Sequence, residues 1–198
     1  MKRRIVARAA AVAIAATAAS ATLHRGAADP LSAGLSAVVK ILPPEPGREA
    51  CFRRLYDARH LGAHPRQTIT EMVFVMRVEG MDAKGDRVLK NPDHVMYRFA
   101  LELKRRDDRR PLRTNGECNG DSVADCFVDC DGGGVTVERM AKGGGLTVRL
   151  QGEGIAFGND CDTTRGQFVG PGADDKIFEL APAPAAICLS LEKAELAP

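Results

Sequence analysis

The sequence predicts an all-β fold: an antiparallel meander of about eight strands closed into a small barrel or folded into a sandwich. Three observations predict it. Apolar residues repeat with period two, as in Met72, Phe74, Met76, Val78 and again in Val95, Tyr97, Phe99, Leu101, Leu103, the spacing that puts alternate side chains on one face of a strand. Short apolar runs are separated by Asp131-Gly132-Gly133-Gly134, Lys142-Gly143-Gly144-Gly145 and Gly152-Glu153-Gly154, where glycine supplies the positive φ of tight turns. Six cysteines in 198 residues suit a small domain braced by crosslinks.

Taken in order, Met1 to Arg4 supply a charged start, Ile5 to Ala19 an Ala-rich apolar stretch, and Ala19-Ser20-Ala21 a small-residue cleavage signal. Residues 1–21 therefore read as a signal peptide. Arg8 interrupts the stretch and leaves it short of the roughly 20 apolar residues a bilayer requires, so stable membrane insertion is not expected. Residues 22–47 carry Pro30, Pro43, Pro44 and Pro46 and read as a flexible Pro/Ala-rich arm, with one short helix possible between Leu31 and Leu42. Residues 48–198 form a single all-β domain whose body begins near Cys51.

Its expected strands include the two alternating runs, then Val123 to Cys130, Val135 to Met140, Leu146 to Gln151, Ile155 to Gly158, Ile177 to Leu180 and Ala186 to Leu191. Aromatic residues make up 5% of the chain and tryptophan is absent. The core must therefore be aliphatic and modest, which gives crosslinks a share of the stability.

The charge balance excludes one class of partner. The net charge of +2, from 28 basic and 26 acidic residues, becomes about −2 once Lys2, Arg3, Arg4 and Arg8 leave with the signal peptide, and neither value suits nucleic acid. The run Lys104-Arg105-Arg106-Asp107-Asp108-Arg109-Arg110 with Arg113 contains its own counter-ions and no aromatic for base stacking; it reads as a solvated hairpin tip.

Cys51, Cys118, Cys126, Cys130, Cys161 and Cys188 read as disulfide residues. If the chain is extended from Cys126 to Cys130, their Cα atoms stand about 13 Å apart at ~3.3 Å per residue, beyond the roughly 7 Å a disulfide spans. That exclusion leaves twelve of the fifteen pairings. The preferred set joins Cys51 to Cys188 as first strand to last, Cys118 to Cys126, and Cys130 to Cys161, with the others open. No CxxC pair supports a zinc site.

Few motifs point to chemistry. His60 and His64, four apart after Asp57, would share a helical face as metal ligands can, yet no Glu follows His60 to make a metalloprotease motif. The plainer reading is a short turn capped by Asp57 and stopped at Pro65, with Asp57, His60 and His64 as weak ligand candidates. Gly120-Asp121-Ser122 matches a hydrolase nucleophile segment over three residues only, and a polar turn is expected instead. The acidic spots Asp129-Cys130-Asp131, Asp160-Cys161-Asp162 and Asp174-Asp175 lack the Gly and Glu positions of an EF-hand. No catalytic residue, metal or cofactor is assigned.

Three segments together, Tyr56-Asp57…His60-Leu61…His64-Pro65…Gln67, then Cys126…Cys130-Asp131-Gly132-Gly133-Gly134, then Asp174-Asp175…Phe178 with Cys188, resemble the pattern of an uncharacterised family of exported bacterial β-proteins. The resemblance implies export and a β fold and names no activity. The expectation is then a periplasmic or secreted, non-catalytic binding or structural protein for a small molecule or protein. An exported enzyme inhibitor is the alternative, and a hydrolase or metalloenzyme built on His60 and His64 the remotest.

Overall fold

A computed structural model describes residues 34–108, 110–158 and 167–195; the signal peptide, the arm up to residue 33 and Cys161 lie outside the described residues. Among the described residues the chain runs α1 (Ser36–Ile41), β1 (Glu49–Leu55), α2 (Ala58–Ala63), β2 (Ile69–Met81), β3 (His94–Arg105), β4 (Leu112–Asn119), β5 (Ala124–Phe127), β6 (Gly133–Arg139), β7 (Leu146–Phe157), β8 (Gln167–Val169), β9 (Ile177–Pro182) and α3 (Ala185–Glu195). Strands β1 to β6 pair in sequence order, β6 pairs with β7, β7 with β9, and β9 with β1. The result is a closed eight-stranded antiparallel barrel, with β8 added to the far half of β7. Closure removes the free sheet edges that an open meander would expose, and it decides between the barrel and the sandwich that the sequence left open.

The two alternating runs become the long central pair. β2 and β3 align from Ile69 opposite Arg105 to Met81 opposite His94, and Met72, Phe74, Met76, Val78, Tyr97 and Phe99 are all buried inside. An eight-stranded barrel has a lumen just wide enough for side chains to fill. Here Phe74 stacks on Phe99 with centroids 5.7 Å apart, and Tyr97, Phe178, Met72 and Leu101 are also fully buried, so the interior is packed.

Residues 34–47, expected as part of a flexible arm, instead seal one end of this barrel. Ala37, Val38, Ile41 and Leu42 join the core, which is why this Ala/Leu/Val-rich stretch is helical. The Gly120-Asp121-Ser122 turn anchors it: Ala37 N donates to Gly120 O at 2.9 Å and Ser36 N to Asp121 Oδ1 at 3.3 Å. The tripeptide is a docking turn for α1.

The strand expected at Ala186 to Leu191 is helix α3. Ile187, Leu189 and Leu191 mimic a period of two, but Leu189 is 47% exposed, whereas Cys188 and Leu191 are buried. That is an i, i+3 face in a segment of helix-favouring Ala, Leu, Glu and Lys. Cys188 and Leu191 cover Cys51, Val73, Val75 and Ala100 on the outside of the barrel.

Two further differences concern strands. β4, Leu-Arg-Thr-Asn-Gly-Glu-Cys-Asn, was not expected, because its inward residues are Thr114, Gly116 and Cys118. At Gly116 an added Cβ would lie 2.0 Å from Phe127 O and 2.8 Å from the Phe99 ring, so a larger inward residue is excluded there. The two strands expected at Leu146 to Gln151 and Ile155 to Gly158 are one strand, β7. Its register against β6 jumps from Val135–Leu150 to Gly133–Ile155, and Gly154 at φ 123° approaches Val169 O where no Cβ fits.

Both disulfides formed by described cysteines match the expected set. Cys51 bonds Cys188 with Cα atoms 6.0 Å apart, and Cys118 bonds Cys126 at 4.0 Å. The first joins β1 to a helix, where a last strand was expected. The second links directly opposed residues of β4 and β5. Cys130 is also disulfide-bonded, while its expected partner Cys161 lies outside the described residues. The chain is not extended from Cys126 to Cys130, which a separation of about 13 Å would require: β5 ends at Phe127 and Cys130 sits in a turn at φ 60°. Cys126 is occupied by Cys118.

A candidate cleft at the barrel seam

Strand β1 is joined to β2 over seven residue pairs, but to β9 over two, Phe52 with Pro182 and Arg53 with Ala181. Beyond Arg53 the two strands part. β1 runs on to Leu55 and β9 begins at Ile177, and a cleft of about 330 Å³ opens there, lined by Arg54, Tyr56, His60, His64, Gln67, Asp174, Ile177 and Glu179. It lies at the end of the barrel opposite α1.

Helix α2 forms one wall and is held at both ends. Asp57, in extended conformation, accepts from His60 N at 2.7 Å and so caps the helix, satisfying an otherwise orphaned first-turn donor. Arg106 donates through Nη2 to the carbonyls of Leu61 (2.9 Å) and His64 (3.0 Å), closing the other end with a cation where the helix dipole favours one. Below it, the carboxylate of Asp175, 2% exposed, accepts from Thr68 N at 2.6 Å, Thr68 Oγ1 at 2.7 Å and Ile69 N at 3.3 Å. This pins the start of β2 to the segment before β9.

The rings of the cleft form a column. The guanidinium of Arg54 lies 4.6 Å from the centroid of Tyr56, Tyr56 stacks on His60 at 4.6 Å, and His60 stacks on His64 at 4.4 Å. Cation–π and stacking contacts of this kind each contribute about 0.5–1.5 kcal/mol. Burial raises the Tyr56 phenol above its ordinary 10.0, against the pull of the Arg54 charge, so its hydroxyl remains a donor at neutral pH.

Gln67 fixes the proton on His60. The buried amide donates from Nε2 to Ile69 O at 2.8 Å, which turns its oxygen toward His60 Nε2, 3.0 Å away. An amide oxygen can only accept, so His60 carries a proton on Nε2, and in the neutral ring Nδ1 is the acceptor.

The structure thus brings His60 and His64 into the cleft but gives Asp57 a capping role. Their rings meet face to face, and no group of three or more His, Cys, Asp or Glu that could hold a metal ion occurs among the described residues. It also unites parts of the sequence pattern more than 100 residues apart, Tyr56, His60, His64 and Gln67 with Asp174. The pattern's middle segment, by contrast, forms the β5–β6 turn beside a separate concavity lined in part by Phe127, Asp129, Cys130 and Phe168.

Arg54 and Glu179 were not singled out from the sequence. For Arg54 a signal existed: it follows Phe52 by two and pairs with the buried Met72, so a cation occupies an inward position. Of the charged run, Lys104 binds Glu71 and Arg113 binds Glu102 across strands, Arg105 and Arg110 pair with Asp108, and Arg106 reaches α2. Only part of the run is a self-neutralised tip. No described helix is long and apolar enough to cross a membrane.

Comparison with protein-family models, with curated proteins and with solved structures gave no match.

Proposed function

We propose that this chain is a periplasmic or secreted, non-catalytic binding protein, and that the seam cleft is where a small molecule sits. One observation carries the reading. Segments 54–67 and 174–179 converge on a concavity of about 330 Å³, within the range usual for small-ligand sites, and its walls are held by caps and buried hydrogen bonds before any ligand arrives. The packed barrel interior argues against binding in the lumen. Disulfides within the chain support an oxidising compartment.

The experiment is a native mass spectrum of the protein recovered from its producing cells, paired with imidazole NMR of His60 and His64. The reading expects a retained small mass that is lost on denaturation and is absent from Tyr56→Ala, whose melting temperature checks its fold. Wild-type protein that carries no mass, with both imidazoles unmoved by a cell extract, would overturn it.

A second reading, an inhibitor of another enzyme, is favoured by the β2–β3 loop. There Asp82 Oδ1 accepts from Lys84 N and Asp86 N, both at 2.9 Å, fixing a turn closed by the Met81–Arg87 bridge, and Leu89 just past it stands 76% exposed, an apolar side chain beside a fixed turn, of the kind that enters a partner's pocket.

A further inference from the structure

The commitments of the polar groups around the cleft leave an imbalance. Asp174 faces Arg66 at 3.8 Å. Asp175 is saturated by Thr68 and Ile69, Gln67 by Ile69 and His60, and Asp57 by the α2 backbone. Arg54 differs. It forms no ion pair among the described residues, one face of its guanidinium is covered by Tyr56, whose hydroxyl it also hydrogen-bonds, and its Nε is buried without a hydrogen-bond partner. Glu179, on the same cleft, does not compensate it, because the two side chains leave their strands on opposite faces: Arg54 shares the inward face with Met72, and Glu179 lies between the buried Phe178 and Leu180.

A partly buried cation without a counter-ion is costly, and here it stands at the base of a column of rings. Guanidinium presents a planar donor fork that matches a carboxylate; the facing sides of the stacked rings already cover one another, so the column offers its ring edges, which attract the face of another ring. Building on the reading of the cleft as a small-molecule site, we infer that its ligand is a planar aromatic carboxylate, with the carboxylate paired to Arg54 and the ring lying along the Tyr56–His60–His64 column. Arg54 and Tyr56 supply charge and donors, and the imidazoles supply the surface. Glu179 on the opposite wall disfavours ligands bearing a second negative charge.

The test uses the full mature chain and three probes: benzoate, its neutral isostere benzamide, and inorganic phosphate. Binding is followed by the ring signals of Tyr56, His60 and His64. A carboxylate accepts both arms of the guanidinium fork and carries the opposite charge, whereas the amide offers one neutral acceptor, so benzoate should bind about tenfold more tightly than benzamide, a difference of about 1.4 kcal/mol. Arg54→Gln should abolish that preference, Arg54→Lys should retain part of it, and melting temperature confirms that each variant is folded. Benzamide binding as well as benzoate to the wild type would remove the carboxylate assignment while leaving a small-molecule cleft. Phosphate saturating the site with benzoate silent would remove the aromatic assignment. If none of the three moves the cleft signals while a cell extract does, the inference fails and the binding reading stands.

Discussion

The hydroxyl of Tyr97 on β3 donates to the backbone carbonyl of Leu42 at the end of α1, 2.7 Å away, with both residues buried. This bond ties the end of the sealing helix to the barrel and satisfies a buried carbonyl. Tyr97→Phe removes the donor and leaves the Leu42 carbonyl buried, at a cost of about 1–3 kcal/mol, with faster amide exchange expected across residues 36–42.

The same residue gives a signed pH prediction. Burial pushes the Tyr97 phenol up to about 12 from an ordinary 10.0. A raised folded value means the stabilisation is complete below pH 10.0 and is lost as pH rises toward about 12. Wild type should therefore lose stability in that window more steeply than Tyr97→Phe, as read by urea midpoints against pH.

On the acid side the relevant group is Glu71. Burial pushes its carboxyl up, but hydrogen bonds from Lys104 (2.8 Å) and Arg53 (2.6 Å) outweigh burial and hold it below 4.5. A lowered folded value contributes stability above the ordinary range, and that contribution disappears as pH falls below 4.5 through the depressed value. Glu71→Gln should lower the melting temperature at neutral pH and flatten its decline in acid. Equal slopes for the two proteins would contradict this.

Removing the Cys51–Cys188 bond with paired alanines frees a span of 137 residues, and a loss of about 2–5 kcal/mol is expected. Because Cys188 and Leu191 cover Val73, Val75 and Ala100, the variant should bind a hydrophobic dye and exchange the amides of α3 faster while the barrel amides stay protected. Uniform exchange would show that the helix and the barrel open together.

Gln67→Ala removes the acceptor that fixes the His60 tautomer. Imidazole ¹⁵N shifts should show Nε2–H in wild type and a mixture in the variant. Arg106→Met, which strips the cation from the end of α2, should loosen both imidazoles without altering the barrel.

Periodicity in the sequence carried the strands whose inward residues are strongly apolar, and so β2 and β3 were legible to within a few residues. β4 was hidden because a barrel also accepts threonine, glycine and a bridged cysteine inside where neighbours crowd, as at Gly116. α3 was misread because Ile187, Leu189 and Leu191 at spacing two imitate a strand, while the buried helical pair is Cys188 and Leu191, and the outer patch of Val73, Val75 and Ala100 that they cover decides between the two. His60 and His64, with their cap Asp57, could be found by spacing, but Arg54 and Glu179 belong to the cleft only because β1 and β9 separate after two residue pairs.

The residues alone thus carried the β class, the alternation that faces the core and the capped turn bearing the histidines, because each follows from local spacing; the cysteine pairings stayed open until the strands and α3 were placed. Tertiary structure alone decided that the meander closes, that α1 seals it, that α3 is a helix, and that a stacked column of rings ends beside an uncompensated arginine. Those features depend on which distant surfaces meet, and burial energy over contacts far apart in sequence outweighs the local preferences that a linear reading can sense.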